Sequence, residues 1–112
     1  MLITISWPHR KLSPNARVHW AEKSRLARAY RQEGFYATRA EREALTLENP
    51  LVALTFHPPD ARHRDLDNMI SAMKSALDGI ADAIGVDDHK WRLSAQVGEQ
   101  MPGGKVVVQV TE

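Results

Sequence analysis

The chain has 112 residues, a formal net charge of +1, ordinary globular composition and no cysteine. That length fits one domain, residues 1–112, able to fold without staples; the missing cysteine excludes disulfides, zinc–thiolate centres and cysteine nucleophiles. No apolar run is long enough to span a membrane and no leader pattern opens the chain, so a cytoplasmic protein is expected.

Residues 2–7 (LITISW) alternate apolar and polar positions with β-branched side chains, the pattern of a strand. PHRKLSPNAR follows, with two prolines and an asparagine, and reads as a loop. From Val18 to Leu45 the helix formers Ala, Glu, Arg, Lys, Gln and Leu dominate, with Gly34 a point of interruption. This helix is rich in arginine, including Arg25, Arg28, Arg31, Arg39 and Arg42. Residues 51–57 (LVALTFH) form a second strand, stopped by Pro58 and Pro59.

A second helix is expected from Leu66 to Ala83, ending near Gly85. Leu66, Met69, Ile70, Met73, Leu77, Ile80 and Ile84 fall on one stripe at helical spacing. Residues 90–99 and 105–111 read as two strands joined in a hairpin through Pro102-Gly103-Gly104. Val106, Val108 and Val110 share one face of the last strand and Val107 takes the other. The order β-α-β-α-β-β predicts an α+β domain with helices packed on one mixed sheet.

Charge is divided along the chain. Residues 1–64 hold eleven Lys/Arg against six Asp/Glu, and residues 65–112 hold four against eight. Such a split can separate a polyanion-holding surface from a cation-holding site, although short chains also scatter charge unevenly.

The chemistry concentrates in Arg64-Asp65-Leu66-Asp67-Asn68 and, about twenty residues on, Val86-Asp87-Asp88. A hard cation such as Mg²⁺ takes one or two carboxylates and completes its shell with water and phosphate. Aspartates at i and i+2 share a face where the chain is extended, as it can be between a proline-rich turn and a helix. Such a site suits phosphodiester hydrolysis. The plainer alternatives are an N-cap role for Asp65 or Asp67 and a surface turn for Asp87-Asp88. His63-Arg64-Asp65-Leu66 matches the start of a protein kinase catalytic loop by chance. The asparagine due five positions after the aspartate is replaced by Ile70. The five histidines show no zinc-site spacing and read as loop or surface residues.

Taken together, the ordered segments resemble the RusA family of Holliday junction resolvases. The likeness runs through Pro14-Asn15 with His19 and Trp20, then Pro59-Asp60 and the arginine-rich turn into DLDN. It continues through the amphipathic helix, Gly85-Val86-Asp87-Asp88 and the Gly103-Gly104 turn before the closing strand. The resemblance implies a homodimeric endodeoxyribonuclease acting on four-way junction DNA in recombination and repair. Asp65, Asp67 and Asp88 would be its catalytic, metal-binding carboxylates and Mg²⁺ or Mn²⁺ its cofactor. Asp87 is the alternative to Asp88, because the 85–88 loop is spaced a little differently from the family's. The family's lysine four residues after the second aspartate of DLDN is replaced by Ser71, and Lys74, one turn on along the same helix face, is expected to take its phosphate-binding part. Arg10, Lys11, Asn15, Arg17, Arg25, Arg28 and Arg31, with Arg62 and Arg64 beside the carboxylates, are the expected DNA contacts, directed mainly to phosphates. The rival expectation is a DNA-binding module with weakened or lost catalysis, for which Ser71 is the telling feature. A metal-binding or structural protein without nucleic acid is the third.

Overall fold

The computed structural model describes residues 1–41 and 46–112. Strand β1 spans Leu2–Ser6, helix α1 Trp20–Glu41 and strand β2 Leu51–His57. Helices α2 (Leu66–Ala72) and α3 (Lys74–Ile84) follow, then strands β3 (Arg92–Val97) and β4 (Lys105–Thr111). Short 3-10 turns cover Arg10–Leu12 and Asp88–Lys90. The class is α+β, as expected: one four-stranded mixed sheet, in spatial order β1-β4-β2-β3, carries the helices on one face.

Alternation along each strand decides which face is covered. Ile3 and Ile5 of β1, Val52, Leu54 and Phe56 of β2, and Val106, Val108 and Val110 of β4 are all 0–1% exposed. They meet Met69, Met73, Ala76, Leu77 and Ile80 from the helical stripe in one cluster. Burying such side chains is worth roughly 1.5–3 kcal/mol each, which makes this cluster the main stabilising element.

The expected hairpin is absent. β3 and β4 do not pair; β3 lies parallel to β2 on its outer side, with Leu51 opposite Arg92 and Phe56 opposite Val97. β4 is inserted between β1 and β2, antiparallel to both. The glycine turn is real, with Gly103 and Gly104 both at positive φ, but it ends a connection that crosses the end of β2. There Gly98 N donates to Phe56 O at 2.8 Å and Met101 N to Pro58 O at 2.9 Å. The physical reason is that β4 is apolar on the core face and half-buried at Val107, so it gains more from two neighbours than from one.

Two helical details also differ from expectation. The second helix is divided at Met73 (φ −87°, ψ −4°), whose N–H is shared between Met69 O at 3.2 Å and Ile70 O at 3.1 Å. The tightened turn leaves the stripe in phase, because Leu77 N still reaches Met73 O at 3.0 Å. Gly34 does not interrupt α1. It is buried at the crossing with α3, where an added Cβ would stand 2.3 Å from Ala76 O. Gly79 repeats the arrangement from the other side, with a Cβ falling 2.0 Å from Arg31 O. The two helices approach closely because both lack a side chain at the contact. α1 begins at Trp20 rather than Val18, and the expected run to Leu45, including Arg42, lies outside the described residues.

Candidate functional site

β1 and β2 both run antiparallel to β4, so they are parallel to each other and end on the same side of the sheet. Crevices beyond the carboxyl ends of parallel strands are the common place for ligands in such sheets. Here the segments that follow β1 and β2 enclose a cleft of about 840 Å³. Arg10, Lys11, Arg17, Arg62 and Arg64 line it, with His9, His63 and Asn15, against the acidic groups Asp60 and Asp65. Five of the eleven cations of the basic half are thereby gathered into one concave surface.

Helix α1 anchors one wall. Tyr30 donates to Ser6 O at 2.7 Å, and Glu33 accepts from Ser6 N and Ser6 Oγ, both at 2.6 Å. Burial, with Glu33 nearby, pushes the Tyr30 hydroxyl well above the ordinary tyrosine range, so it stays a donor. His9 then caps the 3-10 turn by accepting from Lys11 N at 3.1 Å. The Lys11 ammonium reaches back to Glu22 on α1, and this bond holds the Glu22 carboxyl below its usual range.

The other wall is built around Asp60. Its carboxylate accepts from Arg62 N at 2.9 Å, Arg62 Nη2 at 3.0 Å and Arg64 Nη2 at 3.0 Å. The Arg62 backbone N–H, with both guanidinium groups behind it, holds the Asp60 carboxyl below its ordinary value. Arg64 Nη1 donates to Asp60 O at 3.3 Å and to Arg62 O at 3.2 Å. Its guanidinium carbon lies 5.3 Å from the centre of the Trp7 ring, over its face. Trp7 in turn meets buried Phe56 edge to face, with centroids 6.1 Å apart. Gly104 permits this packing: its φ is +68°, and a Cβ there would stand 2.9 Å from Pro59 and 3.1 Å from Trp7.

The three aspartates are placed as follows. Asp65 occupies the N-cap position of α2 in extended geometry (φ −81°, ψ 131°), yet its side chain makes no capping bond. It lines the cleft and pairs instead with His63 at 3.2 Å. Asp67 is exposed in the first turn of α2. Asp88 faces a second, smaller groove of about 380 Å³ lined also by Ser71, Lys74, Leu77 and Trp91. There the Lys74 ammonium bonds Asp88 at 2.5 Å and Asp78 at 2.9 Å, and both raise the Lys74 pKa. Lys74 lies two helical turns beyond Asp67, roughly 10 Å along the axis. Asp87 is spent locally: it accepts from His89 N at 3.2 Å and pairs with the His89 ring, which holds its carboxyl down at about 2.

Among the described residues, no three His, Asp or Glu side chains are grouped to hold a metal ion. Asp65 and Asp67 stand two residues apart at the start of α2, and Mg²⁺ commonly accepts one or two carboxylates beside phosphate and water. Their donor type therefore fits the cation, with Asp88 held two turns away by Lys74.

Not every expected DNA contact joins the cleft. Arg10, Lys11, Asn15, Arg17, Arg62 and Arg64 line it; Arg25, Arg28 and Arg31 do not. Arg31 is engaged with Asp82 of α3 at 2.8 and 3.1 Å and serves the helix crossing. In the sequence Asp60 stands out only within the Pro59-Asp60 step of the likeness, with no role, and Trp7 has no part beyond the first strand. The available signal was the tryptophan–proline step closing the first strand, and the i, i+2 and i, i+4 spacing from Asp60 to Arg62 and Arg64.

No family model matches the chain. A protein of Xylella fastidiosa strain Temecula1, described only as uncharacterized, is 35% identical over 116 residues, covering 97% of this chain and 74% of the relative. The chain belongs to the same family as that protein. Alignment over nearly the whole chain takes in both walls of the cleft and the two aspartate segments. Among the described residues no helix is long and apolar enough to cross a membrane.

Proposed function

We propose that this chain is a divalent-metal-dependent, structure-selective endodeoxyribonuclease of the cytoplasm that cuts branched DNA, four-way junctions above all. The observation that carries the reading is the concave basic cleft with Asp65 at its edge and Asp67 in the first turn of α2. Arg10, Lys11, Arg17 and Arg62 on one surface suit a phosphate backbone, and backbone contacts read shape rather than sequence.

Asp65 and Asp67 would hold Mg²⁺ or Mn²⁺, with Asp88 as the third carboxylate that the likeness to RusA resolvases implies. A bound divalent cation supplies an acidified water and neutralises charge on the scissile phosphate. Arg62, 81% exposed at its side chain and with its guanidinium bonded to Asp60 through Nη2 alone, has further N–H groups with which to hold the strand beside the carboxylates. Lys74 is a positioning residue in this account: its bond to Asp88 ties the DD loop to the start of α3, the helix that follows the DLDN helix α2. A junction presents two symmetric strands, so the reading also calls for a twofold homodimer. The uncovered edge of β3, where Leu93 and Val97 are 48% and 55% exposed, supports it.

The second reading is a DNA-binding module with weak or no catalysis. Its support is the engagement of Asp88 by Lys74, together with Ser71 in the place of lysine. The test is a labelled synthetic four-way junction beside a linear duplex, with Mg²⁺, Mn²⁺ or EDTA. Symmetric, metal-dependent cutting of the junction alone supports the nuclease. Tight binding without cutting in any metal assigns the module.

A further inference from the structure

We propose that the Trp7–Arg64 pair is a stacking platform that receives one unpaired nucleobase of a DNA strand, while the cations around it hold the flanking phosphates. The inference rests on the DNA reading above and names the form of DNA that the cleft selects.

The contacts Arg64 already makes limit what it can offer a ligand. A guanidinium binds phosphate through in-plane N–H groups, ideally two at once. In Arg64 three of the five N–H groups are taken, one on Nη2 by the Asp60 carboxylate at 3.0 Å and two on Nη1 by Asp60 O at 3.3 Å and Arg62 O at 3.2 Å, so the Nη1–Nη2 end has no free pair with which to grip a phosphate. Its side chain is 21% exposed, against 81% for Arg62, so it is built into the wall rather than swung toward solvent. What remains is the Nε–H edge and the flat surface of the group. The guanidinium already lies over Trp7, and both residues line the cleft. Trp7 is fixed from behind by Phe56 and by the close approach of Gly104. The cleft thus contains a fixed pair of an aromatic ring and a guanidinium, groups that stack on the π-face of any base and so tolerate any sequence.

Size and charge narrow the ligand. About 840 Å³ admits a nucleotide extruded from the stack, and Arg10, Arg17 and Arg62 supply phosphate contacts on either side. In paired DNA the bases already stack on one another and cannot meet the platform. Unpaired nucleotides at branch points, bulges and gaps can, and they cost least to extrude.

The experiment uses the full chain in EDTA with a DNA duplex carrying one bulged 2-aminopurine, beside the fully paired duplex. Wild type is expected to bind the bulged DNA about tenfold or more tighter than the paired DNA and to shield the 2-aminopurine from acrylamide quenching. Arg64→Gln and Arg64→Lys should each erase that preference and the shielding. Arg64→Gln should leave the salt slope of binding unchanged, whereas Arg62→Gln should weaken both DNAs alike and lower the slope by about one. Equal wild-type affinity for the two DNAs, or an unshielded base, overturns the platform even if the Arg64 variants fail to fold. A slope lowered in Arg64→Gln shows a phosphate contact and also overturns it. So does equal or tighter binding of an RNA duplex carrying the same bulge, or competition by free dAMP below millimolar concentration. Junction cutting without shielding removes the platform and leaves the nuclease; shielding without cutting removes the nuclease and leaves the platform.

Discussion

Asp60 shows how one carboxylate organises a wall of the cleft. It receives hydrogen bonds from Arg62 and Arg64 and sits below its ordinary value of 3.8. A carboxyl lowered in the folded state stabilises above its unfolded pKa and loses that contribution as pH falls through the lowered one. Stability should therefore decline as pH drops below about 4, and Asp60→Asn should flatten that part of the profile in thermal melts. A profile identical to wild type would mean that the carboxylate does not organise the turn. Lys74 makes the complementary case on the second groove. Lys74→Ala frees Asp88 and should lose most cleavage, while Ser71→Ala, which removes no hydrogen bond described here, should cost less than about twofold. The reverse ranking would return the phosphate-binding part to position 71. These roles were only half legible in the sequence. The carboxylates stood out by type and spacing; their partners did not, because Asp88 to Lys74 is a tertiary contact and Trp7 to Arg64 joins residues 57 positions apart.

At the scale of elements, periodicity was readable wherever burial is one-sided. The stripe from Met69 to Ile84 and the Val106–Val108–Val110 face are buried as their spacing requires. Strand pairing was less readable, since a glycine turn marks a reversal and not the strand's neighbour. β4 left β3 because a place between β1 and β2 buries it better. Gly34 was likewise ambiguous: in isolation a glycine reads as a helix breaker, and only the partner Gly79 reveals a close crossing. The crossing yields a sharp expectation. Gly79→Ala drives a methyl into Arg31 O and Phe35 N, and should destabilise by roughly 2 kcal/mol or more. For a domain of this size that is a drop in Tm of about 10 °C. An unchanged Tm would show that α1 moves away without loss.

Over the whole molecule, sequence order becomes a functional division. The basic first half supplies both cleft walls, and the acidic second half begins with Asp65 at the cleft's edge. If Arg10, Lys11, Arg17 and Arg62 meet phosphates, the log of junction affinity should fall with log salt with a slope of about −3 to −4. Arg10→Gln combined with Arg17→Gln should reduce that slope by about two, while Arg31→Gln should not move it. Equal effects at all three positions would place DNA on α1 instead. The central claim is that one surface both holds branched DNA and cuts it through the DLDN carboxylates. Its most direct measurement is Asp67→Asn on a four-way junction, with binding in EDTA and cleavage in Mg²⁺ followed on the same preparation. The account predicts affinity within a few-fold of wild type and cleavage reduced a hundredfold or more. Cleavage that persists in Asp67→Asn would contradict it.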